Sequence, residues 1–171
     1  MGTALNEGAA TAPTAPHKEP SRVDRMTEVT VRGEAGTLLT HIQAGAYALL
    51  GDEPKSVPGG TEQGPGPYDL LLSALGTCTS MTLLLYAQRK KYPLERITVT
   101  LTHDRIYASD CAECDSKDGR IERIETVIHL EGALTDEQRS SLLAIAEKCP
   151  VHKTLMSKID LPVRFGLPAT I

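Results

Sequence analysis

The chain of 171 residues has no tryptophan and a single phenylalanine, so a folded core has to be assembled from Leu, Ile, Val, Ala and Met. It also lacks a surplus of positive charge. Lys and Arg number 18 against 22 Asp and Glu, a net charge of −4, which offers nothing to nucleic acid or to an anionic membrane. Cysteine is scarce: Cys78, Cys111, Cys114 and Cys149 are the four, too few for a small fold built on disulfides. No basic start followed by an apolar run opens the chain, so no secretory leader is expected. Asn6 stands where a myristoylation motif needs Ser or Thr. The cytoplasm is the expected compartment, and reduced thiols there more often serve chemistry or metal binding than structure.

One further absence is local. From Leu70 to Ala87 there is no charged residue, about the lower limit for crossing a bilayer. Gly76, Ser73, Thr77, Thr79, Ser80 and Thr82 interrupt that run, and its surroundings read as half-buried strands. A buried central helix of a globular domain is therefore expected. With 40% hydrophobic and 23% charged residues, the rest of the chain has the composition of one such domain.

Residues 1–25, rich in Ala, Thr, Pro and Gly and without periodicity, read as a disordered N-terminal tail, leaving 26–171 as the folded domain. Period-two alternation begins near Thr27. Val29 and Val31 start it, a turn follows at Gly33 to Gly36, and Leu38 to Gln43 and Ala46 to Leu50 continue a strand meander. Asp52 to Pro67 carries four Pro and four Gly and must be a loop. Pro67 and Asp69 then suit the first turn of the apolar helix, Arg89 to Lys91 its last turn, and Pro93 its end.

Arg96 to Tyr107 places Ile97, Val99, Leu101 and His103 on one face of a strand. After a loop around Cys111 to Gly119, Ile121 to Leu130 pairs as the next strand. Thr135 and Gln138 form a capping-box pattern for a second helix, expected to end at Cys149 because Pro150 disfavours helical geometry there. A third helix over about Val151 to Lys158 and a closing strand over Ile159 to Phe165 complete the order βββ-α-ββ-α-α-β, an α+β class.

Among the thiols, Cys149 has the clearest local chemistry. As N-cap of a helix beginning at Pro150 it would meet unpaired amide hydrogens and a positive dipole end, which favour the reactive thiolate; His152 and Lys153 would add positive potential. A buried, inert cysteine at a helix junction fits the same position. Nothing beside Cys78 marks it as activated, and a core role suits it as well. Cys111-Ala112-Glu113-Cys114 is a CxxC in a polar loop. With His103 it supplies three metal ligands at most, so a structural metal site, a redox pair and a plain loop all stay open.

Taken together, GPGPYDLLLSALGTCTSMTLLLYAQRK and, some seventy residues on, LLAIAEKCPVHKTL resemble the OsmC/Ohr family of osmotically inducible and organic-hydroperoxide-resistance proteins, in particular OsmC-like domains sometimes fused behind an α/β hydrolase. The resemblance runs from about Thr27 to the C-terminus. It implies an OsmC-like fold in which antiparallel sheets from both chains of an intertwined homodimer wrap long central helices. It further implies thiol-dependent reduction of organic hydroperoxides to alcohols: Cys78 attacks the O–O bond and becomes a sulfenic acid, and Cys149 resolves it to a disulfide. A dithiol reductant, a lipoyl group or a small thiol, reopens that bond, and no metal or organic cofactor is needed. Relatives add an Arg and a Glu. Asp69 holds the acid position here, and Arg32 lies in the strand region of the Arg. The chain departs from many relatives at Ala44-Gly45-Ala46-Tyr47, where they carry a His. A non-catalytic OsmC-like binding module partnering a hydrolase is the alternative.

Overall fold

The computed structural model describes residues 27–107 and 119–166. The expected tail over 1–25 and the Cys111/Cys114 loop lie outside the described residues. The element order is β1 (Val29–Gly33), β2 (Thr40–Ala44), β3 (Tyr47–Gly51), α1 (Pro67–Lys90), β4 (Leu94–Tyr107), β5 (Arg120–Gly132), α2 (Asp136–Ala146) and α3 (Pro150–Leu155). This is the expected α+β arrangement of two antiparallel sheets with helices, less its final strand.

The first three strands form a sheet in the order β1-β2-β3, with Val31 opposite Ile42 and Ile42 opposite Leu49. The second sheet is the long hairpin-like pair β4-β5, in register from Ile97↔Leu130 to Tyr107↔Arg120. Gly-rich chain between β3 and α1 is held by one side chain. The Asp52 carboxylate, 3% exposed, accepts Glu53 N–H at 2.8 Å, the Thr61 hydroxyl at 2.6 Å, Gln63 N–H at 3.0 Å and Thr61 N–H at 3.2 Å. Those donors, led by the Gln63 amide and the Thr61 hydroxyl, hold its pKa down at about 2. Gly60 is required in this loop because a Cβ there would run into the Pro54 and Glu53 carbonyls.

Helix α1 starts with Pro67 in its first turn, and Asp69 accepts the Gly66 N–H at 2.9 Å. It ends in Lys91, whose left-handed conformation (φ 56°) returns its N–H to the last carbonyls. By length and composition α1 meets the requirement of a bilayer span. One stripe of it packs into the core. Leu75, Thr79, Leu83 and Ala87, four residues apart, are the buried stripe, and Leu83 and Ala87 pack with Leu142 and Ala146 of α2. Ile97, Ile128 and Leu130 of the second sheet close that cluster. Full burial of a side chain such as Leu83 stabilises the fold by roughly 1.5–3 kcal/mol. Gly76 lets β4 lie close, since a Cβ there would meet the Leu101 side chain.

Helix α2 begins with the expected capping box: Gln138 N–H donates to the Thr135 hydroxyl at 3.2 Å, and Thr135 N–H to Gln138 Oε1 at 3.1 Å. It stops at Ala146, three residues before the expected end, because Lys148 and Cys149 tighten into turns on Ile145 and Ala146. The expected closing strand does not form. Residues 158–166 are in neither helix nor strand, and Leu161, Val163 and Phe165 stand free, Val163 being 96% exposed. A strand exists only through a neighbour's ladder of hydrogen bonds, and among the described residues no sheet edge receives the segment.

Candidate functional site

Cys78 lies midway along α1, next to Thr79 of the buried stripe and so at the stripe's edge, half-buried. Cys149 arrives from the opposite direction. The turn after α2 carries it to the first amides of α3, where it is the N-cap (φ −55°, ψ 132°) with Pro150 following. Its side chain is fully buried. The fold thus brings the two thiols, 71 residues apart in sequence, close enough for each to shift the other's ionisation.

Their environments differ in sign. Burial and the hydrogen bond and charge of Cys149 push the Cys78 thiol up, against donation from the Val151 amide. Burial also acts to raise Cys149, but hydrogen bonds from Cys78, the His152 amide, the Thr79 hydroxyl and the Val151 amide outweigh it and bring Cys149 down. The pair titrates as a unit. Of the two, Cys149 is the more readily ionised, because it receives the helix-start amides. His152 acts here through its backbone N–H. Its imidazole instead lines a separate cavity with His103 and Tyr68.

Only one of the two sulfurs has an open side. Cys78 lines a pocket of about 750 Å³ whose walls include Leu70, Ala74, Met81, Leu85 and Pro150. Among the described residues that line it none is charged, and Ser73, Thr77 and Thr82 supply hydroxyls. The Thr82 hydroxyl donates to the Cys78 carbonyl at 2.8 Å, beside the thiol.

Asp69 is not brought to the pair. It caps α1, nine residues before Cys78, about 13 Å along the helix axis at the usual rise. Arg32 lies on β1 opposite His41, in the sheet that precedes the Asp52 loop. His103 is a hydrogen-bonded histidine: Nε2 lies 2.7 Å from Glu122 and its ring stacks on Tyr68 with centroids 4.2 Å apart. Arg105 also pairs with Glu122, at 2.6 Å, and the two together hold the Glu122 carboxyl below its ordinary range. Among the described residues no cluster of His, Cys, Asp and Glu could hold a metal ion. Thr79 is the site residue that sequence reasoning passed over. Its signal was a hydroxyl at a stripe position where Leu75, Leu83 and Ala87 are apolar, since a buried polar group needs a partner.

The α+β frame and the order of its strands and helices agree with what known proteins show. Residues 60–164 match the family model of OsmC-like protein, and the chain belongs to that family, whose solved relatives include organic hydroperoxide resistance proteins. The OsmC-like protein of Mycoplasma pneumoniae is similar at a TM-score of 0.62 and 20% identity, covering 78% of this chain and 89% of that one. OhrB, the organic hydroperoxide resistance protein of Bacillus subtilis, has a TM-score of 0.54 at 18% identity, with 80% and 94% covered. The organic hydroperoxide resistance protein of Vibrio cholerae, solved with captopril bound in one of its active sites, has a TM-score of 0.56 at 24% identity, with 85% and 93% covered. No curated protein matches the sequence.

Proposed function

We propose that this protein is a cysteine-based peroxidase that reduces organic hydroperoxides to alcohols. The observation that carries the reading is the thiol pair with a single open side: Cys78 faces an uncharged, largely apolar pocket while Cys149 is sealed behind it. A hydroperoxide with an apolar body fits such walls without stranding charge. Family relatives bearing the name organic hydroperoxide resistance protein support the substrate class.

In the proposed cycle Cys78 passes its proton to the Cys149 thiolate and attacks the terminal peroxide oxygen. The O–O bond breaks, the alkoxide takes the proton from Cys149 and leaves as alcohol, and Cys78 becomes a sulfenic acid. Cys149, again a thiolate, attacks the sulfenic sulfur and expels hydroxide, which is protonated to water. A dithiol reductant then reopens the disulfide. This assigns Cys149 two roles, resident base and resolving thiol, and gives Asp69 the role of setting the start of the helix that carries Cys78. The cycle requires a reducing compartment, and we place it in the cytoplasm.

We also propose that the working form is a homodimer. Val31 and Leu49 of the first sheet, Leu84 of α1 and Val163 and Phe165 of the last segment are all exposed. Monomeric soluble proteins seldom leave so much apolar surface bare.

The test is consumption of cumene hydroperoxide with dihydrolipoamide as reductant. Wild type is expected to turn over, and Cys78→Ser to fall to the rate of free thiol. Cys149→Ser is expected to consume one equivalent and then carry a sulfenic acid on Cys78 that dimedone traps. Wild-type thiols that react no faster than free cysteine would end the peroxidase reading and leave a binding module of the same fold.

A further inference from the structure

A second cavity, of about 450 Å³, shares no lining residue with the thiol pocket, and neither Cys78 nor Cys149 is in its walls. Three elements close around it. The start of α1 contributes Tyr68 and Leu71, the β4–β5 pair His103 and Glu122, and α3 His152 and Leu155. We infer that this cavity binds a small carboxylate with an apolar body, an aliphatic or arylalkyl acid, and that the occupant steadies α3. The site stands apart from the peroxidase reading, since no thiol takes part in the binding.

The polar end of the cavity selects the charge of the ligand. Glu122 is the carboxylate in its described walls, and each of its oxygens already holds a donor. Oε2 lies 2.7 Å from His103 Nε2, and Oε1 lies 2.6 Å from the Arg105 guanidinium. An entering ammonium group would have to compete with Arg105 for that acid, and burying it unpaired is costly. An entering carboxylate meets the imidazoles instead. A carboxylate can only accept, so His103 Nε2 is the donor to Glu122, which leaves Nδ1 for an occupant. Among the described residues neither His103 Nδ1 nor the His152 imidazole has a hydrogen-bond partner. A bare ring nitrogen takes the proton of a carboxylic acid, and a protonated one donates to a carboxylate. Both routes end in the same charge-assisted pair. Tyr68 stacks on the His103 ring with centroids 4.2 Å apart and fixes its plane. Leu71, Leu75, Leu155 and Met156 supply apolar wall for the body of the ligand, in a volume ordinary for small-molecule sites.

The occupant also bears on the thiols, through α3. That helix has six residues and no buried side chain. His152 gives its backbone N–H to Cys149 and its imidazole to the cavity. A ligand seated against His152, Leu155 and Met156 adds contacts that a short, exposed helix lacks, and local opening of the helix becomes rarer.

Calorimetric titration of the full-length protein with phenylbutyrate tests the site, with phenylbutylamine and phenylbutanol as probes of the same body. The acid is expected to bind at least about tenfold more tightly than either, the worth of a charged hydrogen bond. In the imidazole C–H spectrum the His103 and His152 signals are expected to move while those of His41 and His129 stay. His103→Gln and His152→Gln are each expected to weaken the acid by about tenfold or more, whereas Cys78→Ser is expected to bind it as wild type does. Hydrogen exchange at the Lys153 amide, which closes α3 onto the Cys149 carbonyl, is expected to slow several-fold at saturating acid. Equal binding of the amine or the alcohol, or unmoved His103 and His152 signals, would overturn the carboxylate site. Loss of binding in Cys78→Ser would put the acid in the thiol pocket and overturn it equally. Unchanged Lys153 exchange would overturn the hold on α3.

Discussion

Thr79 shows how much of the site rests on single atoms. Its neighbour Cys78 is the sulfur that opens onto the pocket, yet the Thr79 hydroxyl serves the other thiol, Cys149, across the helix interface. A donor to a thiolate favours the charged form. Thr79→Val removes that donor at nearly the same shape, so the Cys149 titration should move to higher pH, while Thr79→Ser should leave it in place. Thiolate ultraviolet absorbance against pH, referenced to a Cys149→Ser protein, reads this directly. An unchanged titration in Thr79→Val would show that the helix-start amides hold the charge without it. The direction matters to the proposed cycle, in which Cys149 is both the base beside Cys78 and the resolving thiol.

At the scale of elements, the loop from β3 to α1 decides where the helix that carries Cys78 begins, and Asp52 decides the loop. Its carboxylate is depressed to about 2 from an ordinary value of 3.8. A depressed carboxylate contributes stability that is fully present above the unfolded value and is lost as pH falls through the folded one. The contribution of Asp52 should therefore persist above about pH 4 and fade toward pH 2. Asp52→Asn would turn an amide N–H₂ toward donors that need acceptors, lowering the unfolding temperature at neutral pH and flattening the acid slope. Thermal unfolding of both proteins across that range gives the difference, and parallel slopes would refute the role. The α2 cap is a smaller device of the same kind, with a Thr at N-cap contributing about 1 kcal/mol.

The whole molecule raises a question that none of its elements answers. Half of α1, both strands at the rim of the first sheet and the chain end carry exposed apolar side chains, with Tyr47 75% and Leu161 78% exposed. Residues 159, 161, 163 and 165 are Ile, Leu, Val and Phe, the period-two pattern of a strand facing apolar surface. In a homodimer these surfaces would cover one another. Sedimentation equilibrium at micromolar protein should give twice the chain mass of 18.4 kDa, and a single species at the monomer mass would reject the dimer.

Much of the fold was legible because it depends on neighbours in sequence. The capping box at Thr135, Pro67 at the head of α1 and the alternation of Ile97, Val99, Leu101 and His103 are short-range patterns, and each element formed where its pattern lay. The closing strand was misread for the complementary reason. Alternation marks what a segment can do, but a strand also needs an edge, and the partner edge is a long-range matter. His103 was similarly ambiguous, since only the pairing of β4 with β5 sets Glu122 beside it.

The candidate site divides the same way. From the sequence alone came the family resemblance, the two thiols as candidates and the N-cap position of Cys149, since that cap is written in Pro150. The tertiary structure decided the rest. It set Cys149 against Cys78, sealed one sulfur and opened the other, and turned Thr79 toward the pair. It left Asp69 at the helix start, away from the thiols. The physical reason is that capping and periodicity act within a few residues, whereas burial, proton sharing and access are properties of segments that meet only when the chain has folded.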